Sequence, residues 1–102
     1  MTLPVELSAA AVQDIREIKG HYTNIRPALG WRFVDHLERV HQSIASMPES
    51  FDPVMPNYRR AFIPKFPHIV YFRVDANRIV IVAVLHSARH SREWKQRLSD
   101  GF

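Results

Sequence analysis

The sequence predicts an α+β domain in which an antiparallel two-helix hairpin packs on one face of a four-stranded, largely antiparallel sheet, followed by a short C-terminal helix. Three observations carry this. Between residues 9 and 47 apolar side chains recur every three or four positions, the spacing of one helix face. From residue 58 to 86 the period shortens to two, in runs bounded by proline- and asparagine-containing links. Those links are too short for a parallel crossover, so consecutive strands pair antiparallel.

In order along the chain, Leu3, Val5 and Leu7 alternate with Pro4 and Glu6, which predicts a strand over 3–7 whose proline suits a sheet edge or a strand start. Ser8 offers an oxygen to the free N–H groups of a helix over about 9–22. Val12, Ile15, Ile18 or Lys19, and Tyr22 mark its inner face; Asp14, Arg16 and Glu17 lie outside. "TNIRPALG" reads as a break, within which Pro27 is suited to be the first residue of a second helix, where its missing N–H costs nothing. Leu29, Phe33, Val34, Leu37, Val40, His41, Ile44 and Met47 continue that helix for about five turns. "MPESFDPVMPN", with prolines at 48, 53 and 56, reads as a surface connection. "YRRAFI", "IVYFRV" and "RIVIVAVLH" then give three strands, the last buried on both faces. "SREWKQRL" closes the chain as a short helix capped by Ser91. No repeat or linker divides the chain, so one domain over 1–102 is expected, with the second sheet face open and arginines along its edge.

Charge narrows the partners. Residues 1–50 hold five Lys/Arg against six Asp/Glu, and residues 51–102 nine against four, so the halves carry −1 and +5. A one-sided basic field concentrates acidic partners, and eleven of the fourteen cations are arginines, which suit bidentate contacts to phosphate or carboxylate. The longest uncharged apolar run, "IVIVAVL", falls far short of the ~20 residues a membrane helix needs, so no membrane role is expected. The first ten residues lack the basic-then-apolar pattern of a signal peptide, and there is no cysteine; a cytoplasmic location is expected. Three glycines and no HExxH helix argue against a nucleotide loop, a cofactor or a catalytic metal. His86 and His90 have the spacing of a two-histidine metal pair but lack a third ligand nearby, while His36 is expected to face solvent and His41 to pack at a boundary.

The stronger constellation is distributed: Arg59 and Arg60 opening a strand, Lys65 in the turn after it, Arg73 and Arg78 around the next turn, then His86, Arg89, His90, Arg92, Lys95 and Arg97. If the sheet brings Arg59 and Arg60 to the end where His86 lies, the set suits either RNA cleavage through the 2′-hydroxyl or docking on an acidic protein. Trp94 and Leu98 are four apart and form a plausible apolar stripe, with base stacking the alternative for Trp94. Tyr71, mid-strand, is read as core or sheet face. Trp31 lies off the main stripe of its helix, either as a partner contact or as a cover for the hairpin.

Together "SAAAVQDIREIKGHY", "SMPESF", "YRRAFIPKFPHIVYFRV" and "RIVIVAVLHSARHSREWKQR" resemble the ParE/RelE superfamily of toxins from type II toxin–antitoxin systems, over residues 3–98. The resemblance implies two helices on an antiparallel sheet, growth arrest, and a toxin–antitoxin hetero-oligomer with a cognate antitoxin whose acidic segment wraps the toxin. RelE-like members cut mRNA on the ribosome; Arg59 or Arg60, Lys65 and Arg89 match their cationic positions. The last tyrosine here is Tyr71, so His86 or His90 would take the place of their C-terminal tyrosine. ParE-like members are associated with inhibition of DNA gyrase and lack that set, and "LHSARHSREW" resembles their ending more closely. On that reading Arg59, Arg60, His86, Arg89, Arg92 and Trp94 form the target-binding surface.

Overall fold

The computed structural model describes residues 2–88 and 91–100, with only the backbone of Ser91. Its order is β1 (Val5–Leu7), α1 (Ala9–Ile25), α2 (Pro27–Ser46), a 3₁₀ turn (Pro48–Ser50), β2 (Asp52–Met55), β3 (Tyr58–Phe62), β4 (His68–Val74), β5 (Ile79–His86) and α3 (Ser91–Ser99). The sheet runs β1-β5-β4-β3-β2, antiparallel except where β1 lies parallel to β5. The predicted α+β architecture is the one observed, with five strands in place of four.

The fifth strand sits in the stretch read as a connection. Its prolines bring the difference about without breaking the pairing: Pro48 opens the 3₁₀ turn, Pro53 lies on an edge strand where one N–H need not be donated, and Pro56 enters the tight turn to β3. Asn57 completes that turn at φ 70°, a left-handed conformation asparagine tolerates.

α1 starts as expected, with the Ser8 side chain accepting from the Ala11 N–H at 3.0 Å. It runs three residues past the expected end because the connection needs only Arg26, which ends α1 and begins α2. Pro27 forces its predecessor out of the helical region, and Arg26 is extended at φ −166°, ψ 128°. The two helices then meet closely: a Cβ on Gly30 would fall inside van der Waals distance of Thr23 Oγ1 and crowd the Thr23 backbone. Gly30→Ala is therefore expected to destabilise the domain by about 1–3 kcal/mol despite alanine's better helix propensity, read by urea unfolding. Adding Thr23→Ala should recover part of it.

Two apolar layers flank the sheet. Ala11, Phe33, Leu37, Val40 and Ile44 of the helices pack on Ala61, Val70, Phe72, Ile79, Ile81 and Val84. The opposite face is not open as expected. α3 crosses it, burying Leu98 with Ile69, Tyr71, Val80, Val82, Ala83 and Leu85, because seven successive apolar residues of β5 need cover on both sides. A bulge makes Val82 the extra residue: Ile81 opposes Phe72, but Ala83 opposes Tyr71. Val82 and Ala83 both fall in the α3 layer, and Val84 returns to the helical layer.

Asp14 is the other correction. Read as an outward residue of α1, it reaches round the sheet edge just beyond β1, where Oδ2 accepts from the Val84 N–H at 2.9 Å and from Arg97 of α3 at 2.6 Å. A backbone donor at an unpaired strand edge and a guanidinium from the far layer both need an acceptor, and one carboxylate serves both.

Candidate docking surface

The expected convergence of the basic residues does not occur. β3 and β5 both pair antiparallel with β4, so they run in the same direction, and the start of β3 lies opposite the end of β4, far from the end of β5. Arg60 pairs with Tyr71 on the α3 face, whereas His86 pairs with His68 on the helical face.

Several cations of the set are engaged in holding the fold. Arg59 Nη1 donates to the Phe51 and Glu49 carbonyls at 2.6 and 3.4 Å, tying the 3₁₀ turn to β3. Arg73 makes a bidentate pair with Asp75, and Arg78 joins Asp75 to Glu6 across β1. The hydrogen bond from Arg73 holds the Asp75 carboxyl below the usual carboxylate range. Arg97 is on Asp14.

The remaining positions are more presented. Arg60 lies with its guanidinium 5.2 Å from the Phe62 ring, its Nε buried without a hydrogen-bond partner among the described residues. Burial pushes the Tyr71 phenol up, and the Arg60 charge opposes that shift. Lys65 is exposed at φ 69° in the β3–β4 turn. Arg92 is exposed and lines, with Leu85, Glu93, Gln96, Arg97 and Asp100, a groove of about 390 Å³ beside α3. Arg89 and His90 lie outside the described residues, as does the Ser91 side chain expected to cap α3. Of the two-histidine pair only His86 is described; among the described residues no three His, Cys, Asp or Glu could hold a metal.

Trp94 is the fastener of α3. Its ring stacks on Tyr71 at 5.5 Å and 18°, and Tyr58 Oη donates to the Leu98 carbonyl at 3.3 Å. Because the indole is only half-buried, Trp94→Ala is expected to cost about 2–3 kcal/mol, below the full-burial range, in thermal or urea unfolding.

At the end of the sheet where β5 stops, histidines gather under the hairpin. His68, 8% exposed, packs on Tyr22, Phe33 and His86 with ring centroids 5.9, 5.8 and 5.3 Å away. Its Nδ1 has no partner among the described residues. Burial, then the charges of His86 and His21, lower its pKa to about 4. His86 Nδ1 accepts from the Ala88 N–H at 2.9 Å, orienting its ring at the root of the tail. His36, expected to face solvent, is half-buried with its ring 5.7 Å from Phe66.

Above this cluster is a surface the basic-tail pattern did not single out. Ile25 and Trp31 are 62% and 66% exposed at the closed end of the hairpin, and the Lys19 ammonium lies 4.4 Å from the Trp31 ring. Trp31 thus does not cover the hairpin. The available signal was the absence of Asp and Glu from residues 18–34, which hold Lys19, Arg26 and Arg32.

Residues 5–91 match the family model described as the ParE toxin of the type II toxin–antitoxin system, parDE. Twelve chains among solved structures match in fold. One, from the structure titled "Chromosomal ParDE TA system from P. aeruginosa", is 17% identical, with a TM-score of 0.73 over 83% of this chain and 96% of that one, a likeness of fold. No curated protein matches.

Proposed function

The chain belongs to the ParE toxin family of type II toxin–antitoxin systems, and from that premise we propose that it arrests growth by docking on DNA gyrase in the cytoplasm, with no chemical step of its own. The observation that carries this choice is the placement of Arg60 and His86 on opposite faces of the sheet. General acid–base cleavage of RNA needs the charge-stabilising arginine and the proton-transfer group on one phosphate, within hydrogen-bond reach. A sheet between Arg60 and His86 weighs against that pair acting together. With Arg59 spent on two carbonyls, the nuclease alternative would have to combine Lys65, Arg89 and His90 with either Arg60 or His86, not with both.

A docking protein has no such requirement. Half-buried Trp94 anchors α3, and the exposed side chains of His86 and Arg92 would provide contact surface, with Arg89 between them in sequence. The partner in the resting cell is a cognate ParD-type antitoxin, whose acidic segment would fold against the basic half of the chain. In the test, purified protein is added separately to gyrase with relaxed plasmid and to ribosomes carrying message. Blocked supercoiling with intact mRNA is expected; cleaved mRNA with normal supercoiling would reject the proposal. In the same assay Arg89→Ala with Arg92→Ala should weaken inhibition without lowering the melting temperature.

A further inference from the structure

Resting on the reading that growth arrest comes from docking on a protein target, we infer that the closed end of the helical hairpin is the docking knob. Ile25 and Trp31, ringed by Lys19, Arg26 and Arg32, seat in an apolar pocket of the target that carboxylates border.

The charge is one-signed. Residues 18–34 hold three cations and no acid, and of the two flanking acids Asp35 pairs with Arg39 at 2.8 Å while Glu17 accepts from the Gln13 amide further down α1. An acidic partner is thereby favoured, and a second copy of this knob is repelled.

The apolar part makes that partner a protein. Tryptophan and arginine are among the side chains most enriched where interface energy concentrates, and here Trp31 and Arg32 are adjacent in sequence, with exposed Ile25 at the same end of the hairpin. Lys19 already occupies one face of the Trp31 ring, which leaves less of it for base stacking and more of its edge for an apolar pocket.

Shape separates the target from the antitoxin. Residues 23–28 are all exposed, so the end is convex. A disordered segment that folds on binding gains most from wrapping a long surface, whereas a convex end fits the concavity of a folded protein. The knob is also rigid. Its turn is one residue long, Gly30 lies against Thr23, and Tyr22 beneath it packs on Phe33 and Phe66 at 5.8 and 5.0 Å. Little ordering remains to be done on docking.

Two variants test this, Ile25→Ser with Trp31→Ser and Arg26→Glu with Arg32→Glu, each compared with wild type for melting temperature, growth arrest on induction, inhibition of supercoiling and antitoxin affinity by calorimetry. Both should fold with nearly unchanged melting temperature and need roughly ten times more protein for arrest, while antitoxin affinity changes by less than about twofold. Full growth arrest by both variants would overturn the inference. An equal loss of antitoxin affinity would overturn it in favour of the antitoxin as occupant. Loss of binding to a DNA or RNA oligonucleotide, with target binding retained, would overturn it in favour of nucleic acid. If wild type arrests growth without inhibiting gyrase and the variants are inactive, the knob stands and the gyrase target falls. If the variants inhibit supercoiling as wild type does, the knob falls and gyrase stands. A wild-type chain that leaves growth untouched removes both.

Discussion

Asp14→Ala is expected to lower the unfolding free energy by about 3–5 kcal/mol, because it leaves the Val84 N–H and the Arg97 guanidinium without their shared acceptor. The side chains of Asp14 and Arg97 are only 14% and 25% exposed, so water replaces the lost partner poorly and the small net value of a surface pair does not apply. Against a typical domain stability of about 5–15 kcal/mol, that is a large share. For a chain of this size it corresponds to roughly 15–30 °C in melting temperature. Asp14→Asn separates the two components. The amide oxygen can still accept from Val84 but carries no charge for Arg97, so the loss should be about half. Equal melting temperatures for Asp14→Ala and wild type would mean that the carboxylate does not join the layers.

The second large effect is in the pH profile. His68 has a folded-state pKa of about 4, below the usual histidine value of 6.5, with burial the first cause and the His86 and His21 charges following. Its proton is therefore bound more tightly by the unfolded chain. The stabilising preference for neutral His68 is fully present above pH 6.5, declines as the pH falls towards 4, and is gone below it. Over that window the loss approaches about 3 kcal/mol. His68→Phe keeps an aromatic ring among Tyr22 and Phe33 and removes the unpartnered Nδ1. The variant should be flatter between pH 6.5 and 4, measured as the difference in unfolding free energy from wild type so that the other histidines and the carboxylates cancel. Parallel profiles would place the acid sensitivity elsewhere.

The sequence disclosed the helices best, because an inner stripe such as Phe33, Leu37, Val40 and Ile44 repeats over enough turns to exclude other readings. It disclosed β4 and β5 by composition. It concealed β2, whose two flanking prolines and internal Pro53 mimic a connection; only the register with Arg59 and Arg60 shows an edge strand. Asp14 was hidden for a different reason. An acid on the polar side of a helix looks solvated unless the partner layer is known, and its partners are 70 and 83 residues away. The same distance effect makes the basic set look like one site. Arg59, Arg73, Arg78 and Arg97 are indistinguishable in sequence from the presented cations, yet each has a structural acceptor.

Face assignment at the end of β5 was illegible because "IVIVAVL" is apolar at every position and gives no alternation to follow. The bulge at Val82 therefore acts like a frameshift in the strand. Upstream of it odd-numbered residues face the hairpin; downstream, even-numbered ones do, as Ile81 and Val84 demonstrate. Removing Val82 would give the strand a single frame and leave its end in place: Ala83 would still oppose Tyr71 and His86 would still oppose His68, on the hairpin side. The inserted residue thus adds one more apolar side chain to the layer beneath α3 without moving the end of the strand, and strand pairing alone keeps His86 and Arg60 on opposite faces.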